Sequence, residues 1–555
     1  MKYIFIILLS ILNFTIQAQL LDGNSGTFTK ADTLRGMLRP ERTCFDVKHY
    51  DLVLDLNFDN KSISGHNDIF FMAVEDFKTL QLDLFENMEI TDIVFANTSL
   101  NYKREFNAVF VDFPKIIVAG SLNKMTVFYK GTPIIAKNAP WDGGFSWKKD
   151  KNGKDWLGVS CEGIGASLWW PNKDHLSDEP ETMTVSCTFP KDLKFVGNGT
   201  LVSNTEIGER RTMKWATSYP INNYNVTLNI GDYVNFQDEY VSTTDSSKLI
   251  LDYWVMPYNL EKAKKQFEQV KPMLAAHEKY FGKFPFWNDN YKLVETPYLG
   301  MEHQTAIAYG NNYKTGYDGM DFSRIGLTFD YIIIHESGHE YWGNLVSAAD
   351  MADLWIHEGF CTYSEALYVE YMFGYAKALE YVNAKKPTID NEHPILGVKN
   401  VNVEGDGDMY NKGMLLLNTI RHIVNNDALW FSILKEMTTK EFAYKTTNTE
   451  EVVKFISKKA GQDLTQVFKQ YLAYKSIPKL YYSIENVSGS EYIINYKWLT
   501  DVNGFNMPIV LKVGKKEYRL YGSNNLQNFK FKMSKKDKIS FDEDKFYFNK
   551  MESKF

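Results

Sequence analysis

Two histidines spaced i and i+4 carry the most specific chemical signal in this chain. They lie in the run Tyr331-Ile332-Ile333-Ile334-His335-Glu336-Ser337-Gly338-His339-Glu340. On an α-helix such residues project from one face with Cβ atoms about 5–6 Å apart. That separation lets both imidazoles reach one tetrahedral zinc ion at about 2.0–2.1 Å. Glu336 directly follows the first histidine and points about 100° away from it around the helix. From there it can face a water on the ion without being a ligand.

A catalytic zinc keeps three protein ligands and leaves a fourth position open. Nineteen positions after His339 stands Glu358, in Trp355-Ile356-His357-Glu358-Gly359-Phe360, and it is the candidate third ligand. Glu365 follows seven residues later, nearly two turns along the same expected helix and therefore on the same face. It is placed to accept a hydrogen bond from a ligating imidazole. The bland alternative for either acid is a surface glutamate. Two histidines, the interposed glutamate and a distal acid form the pattern of zinc peptidases, with one zinc ion per chain expected.

The elements that must position these residues change character along the chain. Met1-Lys2, the apolar run Tyr3–Phe14 and Thr15-Ile16-Gln17-Ala18 read as a signal peptide cleaved after Ala18. The expected mature protein is exported, periplasmic or secreted, with no membrane-spanning segment after cleavage. Residues 19–240 read as an antiparallel β domain, with alternation in Asp51–Leu56, Leu80–Leu84 and Thr182–Cys187. Helical periodicity sets in at Asn259–Phe281 and persists, with one strand-like segment at Tyr291–Glu295, through Thr449–Leu472. Residues 241–478 are the expected catalytic domain. Residues 479–555 read as a small β sandwich with strands at Tyr481–Val487, Glu491–Trp498, Ile509–Val513 and Glu517–Tyr521. The expected class is multidomain α+β.

Composition narrows the function. A net charge of −7 over 555 residues gives no basic surface for nucleic acid. Four cysteines are too few for a disulfide scaffold and lack the paired spacing of a structural zinc site. Export permits one disulfide, for which Cys161 and Cys187 are the candidate pair; Cys361, just past the third ligand, reads as a buried thiol.

The chain resembles the aminopeptidase N family of zinc metallopeptidases, the gluzincins, at Glu162, at Leu299–His303, at His335–Glu358 and at Tyr410–Gly413. The resemblance implies a saddle-like β domain, a thermolysin-like catalytic domain and a β sandwich. The large helical domain usual at the family's C-terminus is not expected, since about eighty residues follow Lys475. The family's substrate-edge motif, Gly-x-Met-Glu-Asn, is matched by Met301 and Glu302; Gly300 is one place out of register and His303 replaces the asparagine. The resemblance implies that Glu302 pairs with the substrate's α-amine, an ammonium at neutral pH, and that Glu162 from the β domain joins it. Met301 would line the first side-chain pocket beside Gly300, with ordinary core packing the alternative. His303 is open to two readings, a hydrogen-bonding stand-in for asparagine or an added positive charge at acid pH. In Tyr410-Asn411-Lys412-Gly413, resembling the family's Tyr-x-Lys-Gly, Tyr410 would donate to the developing oxyanion, and Lys412 reads as structural.

The expected activity is zinc-dependent removal of N-terminal residues from peptides with a free N-terminus, Glu336 acting as general base. Alternatives are a zinc endopeptidase, which has no use for amine-binding carboxylates, an epoxide-hydrolysing relative, and a non-catalytic peptide-binding relative.

Overall fold

The computed structural model describes residues 28–553. The expected signal peptide, 1–18, lies outside the described residues. Among them no helix is long and apolar enough to cross a membrane.

The N-terminal domain is built on an eight-stranded sheet. At its centre β1 (Phe45–Asn57) pairs antiparallel with β2 (Ser62–Ala73) and parallel with β3 (Thr182–Pro190), in register from His49↔Thr182 to Asp55↔Thr188. The alternation that marks Asp51–Leu56 in the sequence is therefore real: Leu52, Leu54 and Leu56 are buried while their neighbours are not. One parallel pair departs from the expected all-antiparallel domain, because β3 reaches β1 by a long crossover. Smaller sheets of four and three strands complete the domain.

All four cysteines are buried free thiols, so the candidate Cys161–Cys187 pairing is not made. Cys187 stands within β3 opposite Leu54, whereas Cys161 Sγ donates to the Tyr224 carbonyl at 3.2 Å. The two side chains serve different parts of the domain.

One five-stranded sheet spans the expected division at 240/241. β4 (Val234–Val241) pairs antiparallel with β5 (Lys248–Val255), and so belongs to the catalytic sheet. That five-stranded sheet continues through β6 (Tyr291–Glu295) to β8 (Ile307–Tyr309) and ends on the short edge strand β7 (Gly300–Met301). Helix α1 (Val270–Phe281) buries Val270, Met273, Leu274 and Phe281, as its 3.6-residue period requires. Helices α2 (Tyr331–Gly338), α3 (Trp355–Phe373), α4 (Tyr375–Ala384) and α5 (Asn411–Val424) pack together on this core.

The core of the β domain runs into the catalytic sheet, with Val294, Met301, Ala306 and Ala308 among its members. The edge strand β7 is thus packed against the core of the β domain. Beyond residue 478 two small sheets pack face to face, Tyr518 on Phe529 and Tyr482 on Phe541 at 5.2 and 4.8 Å between ring centroids. Arg519 from this sandwich donates to the carbonyls of His422 and Ile423 at the end of α5, at 3.0 and 2.8 Å, satisfying groups a helix terminus leaves free.

Candidate active site

Asp330 starts the helix that carries the histidines. Its Oδ1 accepts from the amides of Ile332 and Ile333 at 3.1 and 3.5 Å, an N-cap. Oδ2 accepts from Tyr309 and Gln266 at 2.6 and 2.7 Å. The cap therefore ties α2 to β8 and to the segment before α1.

His335 Nε2 and His339 Nε2 lie 3.2 Å apart. Glu358 Oε2, in the first turn of α3, is 3.6 Å from the first and 3.4 Å from the second. Three ligands about 2.05 Å from a tetrahedral ion are ~3.3–3.4 Å from one another, so the triangle has the size zinc requires. The far ring nitrogens fix the tautomers. His335 Nδ1 donates to Glu365 Oε1 at 2.7 Å and His339 Nδ1 to the Trp342 carbonyl at 2.9 Å. Both acceptors demand a proton on Nδ1, which leaves the Nε2 lone pairs converging on one point. Glu358 Oε2 is buried with no hydrogen-bond partner, a costly state for a carboxylate oxygen unless a cation takes it. The donor set fits a zinc ion.

Glu365 is itself held by the Tyr381 hydroxyl. Glu336 faces the edge strand: a Cβ on Gly300 would stand 2.6 Å from its Oε1 and 2.9 Å from Ile332 Cγ2. Burial raises the Glu336 carboxyl to about 7, against the opposing pull of the two imidazoles. Tyr410 stacks on His335, 6.1 Å between centroids and 21° between planes. Burial raises its phenol, so it stays a neutral donor. Lys412 Nζ donates to the carbonyls of Tyr474 and Lys475 at 3.1 and 3.0 Å, a structural role. Gly413 lets α5 meet α3, since a Cβ there would lie 2.8 Å from Gly359 Cα.

Glu302 is 3% exposed and its Oε2 lies 3.6 Å from His339 Nε2. A carboxylate oxygen of Glu162 and one of Glu302 come within 4.8 Å of each other, beside His357. Burial raises both carboxyls; the charge of Glu302 raises Glu162 further, whereas His339 draws Glu302 back. Met301 is buried yet edges the cavity, so it serves core and pocket together. His303 is fully buried with neither ring nitrogen bonded. Burial holds its imidazole down at about 3, so it neither replaces the asparagine's hydrogen bonds nor adds charge.

A cavity of about 710 Å³ joins Glu162, Met301, Glu302, Glu336, Tyr410 and the ligand triangle. Several residues around it escape sequence reading. Tyr224 Oη donates to Glu302 Oε1 at 2.7 Å, and Asn344 Nδ2 to the Glu302 carbonyl at 2.9 Å. Glu340 Oε1 accepts from the Thr305 amide at 2.7 Å. Glu404 and Lys385 line the wall. Tyr224, Asn344, Glu404 and Lys385 have no spacing to the metal motif that would single them out, and Glu340 follows His339 directly without a spacing that marks its partner.

The Peptidase family M1 domain matches residues 265–471. A probable aminopeptidase 1 of Sulfurisphaera tokodaii is 22% identical over 498 residues, covering 86% of this chain and 59% of that protein. Aminopeptidase B of Mus musculus is 25% identical over 297 residues, covering 50% of this chain and 42% of that protein. The chain therefore spans about half the length of these curated relatives. Among solved structures, a mutant of the M1 zinc metallopeptidase of Deinococcus radiodurans bound to a Tyr-Ser-Ala substrate has the same fold. Its TM-score is 0.64 at 20% identity, covering 78% of this chain and 95% of that one. The motif residues His335, His339, Glu358 and Tyr410 thus fall inside a segment that matches the Peptidase family M1 domain, on the fold that the M1 zinc metallopeptidase of Deinococcus radiodurans shares.

Proposed function

We propose that this chain is a zinc-dependent aminopeptidase that removes the N-terminal residue of peptides. The observation that carries this reading is the convergence of Glu162 and Glu302 beside the ligand triangle. Two buried carboxylates that raise one another are relieved by a single cation between them, and a peptide's α-ammonium is such a cation. Its position sets which peptide bond reaches the reactive centre. An endopeptidase has no use for this trap.

His335, His339 and Glu358 would hold the zinc. When bound there, zinc supplies a Lewis acid that polarises the carbonyl and acidifies water. The protein's own residues do the rest. Glu302 and Glu162 orient the ammonium, with Tyr224 holding Glu302 in place. Glu336 takes a proton from the attacking water and returns it to the leaving amine. Tyr410 donates its hydroxyl proton in a hydrogen bond to the oxyanion. The edge of β7 offers backbone groups along which the peptide can lie.

Export rests on the leader at Met1–Ala18, and N-terminal sequencing of the protein recovered outside the cytoplasm tests it. For the activity, metal content is measured on the purified protein and matched peptides with free and acetylated N-termini are compared. Cleavage of the free peptides alone, after the first residue, is the expected result. Equal cleavage of both would make the protein an endopeptidase.

A further inference from the structure

Four lysines are buried among the described residues: Lys173, Lys292, Lys385 and Lys412. Three have their ammonium satisfied by protein oxygen. Lys173 pairs with Asp178 and donates to the Phe45 carbonyl. Lys292 donates to the carbonyls of Gly199 and Asp289, and Lys412 to those of Tyr474 and Lys475. Lys385 is different. At the C-terminal end of α4, its Nζ lies over two rings, 5.5 Å from the centroid of Tyr331 and 5.3 Å from that of Tyr381. No oxygen among the described residues accepts from it or pairs with it.

A lysine at a helix C-terminus complements the dipole, and its stem can cover apolar surface. Neither role explains an ammonium drawn into a cavity wall without an acceptor. Glu365, behind Tyr381, is already taken by His335 Nδ1 and the Tyr381 hydroxyl. Aromatic faces stabilise a cation while leaving its N–H donors free, which suits a group that must receive an anion.

The cavity gives that anion an identity. Lys385 lines it together with His335 and Glu336, while Glu162, Glu302 and Glu404 line its acidic part. Two ring steps separate the ammonium from the ligand cluster: 5.5 Å to the Tyr331 ring, then 5.2 Å from that ring to His335. An extended peptide advances about 3.3–3.6 Å per residue. This path through the ring is an upper bound on the separation, and a peptide whose ammonium sits on Glu302 and whose first carbonyl meets the metal centre approaches it with two further residues, about 7 Å, and one hydrogen bond of about 2.8 Å.

We propose that Lys385 captures a peptide carboxylate one or two residues beyond the first peptide bond, which makes dipeptides and tripeptides the favoured substrates. The proposal rests on the aminopeptidase reading and names its substrate class. The carboxylate has two sources, the C-terminus of a short peptide or an acidic side chain following the first residue.

The test compares Ala-Ala and Ala-Ala-Ala with their C-terminal amides, and Ala-Glu amide with Ala-Gln amide, on the zinc-loaded protein. The expected result is a preference of about 10- to 100-fold in kcat/KM for the carboxylate member, the size of one charge-assisted hydrogen bond, expressed mainly in KM. An advantage of the free acids assigns the C-terminus; an advantage of Ala-Glu amide assigns a side chain. Lys385→Met should bring the ratio close to one, and Lys385→Arg should restore most of it. A wild-type ratio near one, or equal losses for acids and amides in Lys385→Met, would overturn the proposal. Should no peptide be hydrolysed, the aminopeptidase reading fails, and calorimetric titration with the same acid and amide pairs still decides Lys385.

Discussion

Tyr224 donates its hydroxyl to Glu302 Oε1 across 2.7 Å, joining the β domain to the acid beside His339. The surrounding segment is stitched to the catalytic domain as well. Asn222 Nδ2 donates to the Gly343 carbonyl at 3.2 Å and Asn225 Nδ2 to Asn344 Oδ1 at 2.6 Å. Asn198 Nδ2 reaches the Gln304 carbonyl at 2.7 Å. The Glu162–Glu302 pair is therefore an interdomain object, and its geometry depends on how the two domains meet.

Tyr224→Phe removes the donor and leaves Glu302 free to turn. A hydrogen bond to a charged group contributes about 1.5–3 kcal/mol. KM for peptides with a free amine should rise roughly tenfold with kcat little changed, since the bond serves positioning rather than the reacting carbonyl. Steady-state kinetics check it; a fall in kcat at constant KM would place Tyr224 in the chemical step.

Glu336→Gln keeps the ligand triangle intact, because no ligand or ligand partner changes. It should retain one zinc per chain by elemental analysis while kcat drops by about 10²- to 10⁴-fold, the range general acid–base groups contribute. Substantial turnover by the variant would remove Glu336 from its assigned role.

Glu365→Gln tests the support behind the metal. The amide can still accept from His335 Nδ1 but carries no charge to strengthen the imidazole as a ligand. Zinc affinity should fall about 10- to 100-fold in chelator competition. Because zinc binds the folded protein, the melting temperature of the variant should also become more sensitive to chelator than that of the wild type.

Glu278, on α1, gives a pH-dependent stability effect away from the site. Burial alone would raise its carboxyl, but hydrogen bonds from Thr244, Tyr240, Ser242 and Thr243 hold it down at about 2, below the ordinary 4.5. A depressed carboxylate stabilises the fold above its unfolded value and loses that contribution as pH falls toward the folded one. Glu278→Gln should cost roughly 2 kcal/mol at neutral pH, because an amide nitrogen cannot accept from these donors. The difference should narrow steadily between pH 4.5 and 2. Urea titrations of both proteins at pH 7 and pH 3 measure it, and an equal gap at the two values would refute the assignment.

Gly413→Ala puts a methyl carbon 2.8 Å from Gly359 Cα. The obstacle is backbone, so α5 must move away from α3. A loss of about 1–3 kcal/mol is expected, with lower kcat as well, since Tyr410 rides at the start of α5. Calorimetry and kinetics on one preparation test both effects.

The pairing of the two histidines was legible in the sequence because its geometry is local. Helical spacing alone puts His335 and His339 on one face, and the same period carries Glu365 to the face of Glu358. The alternating strands and periodic helices were readable for the same reason, since a short run of residues fixes which side is buried. What the tertiary structure alone decided is everything set by contacts between distant segments. No local period relates Tyr224 to Glu302, or Lys385 to the cavity, or Cys161 and Cys187 to their separate surroundings. The early start of the five-stranded sheet at Val234 depends on which strand β5 chose as a neighbour, and the His303 imidazole pKa is lowered only once the fold closes over it. Residue type and spacing chose the chemistry. Packing between domains fixed how Glu162, Glu302 and Lys385 stand around one cavity, because charge placement across a desolvated space depends on distances that no sequence interval encodes.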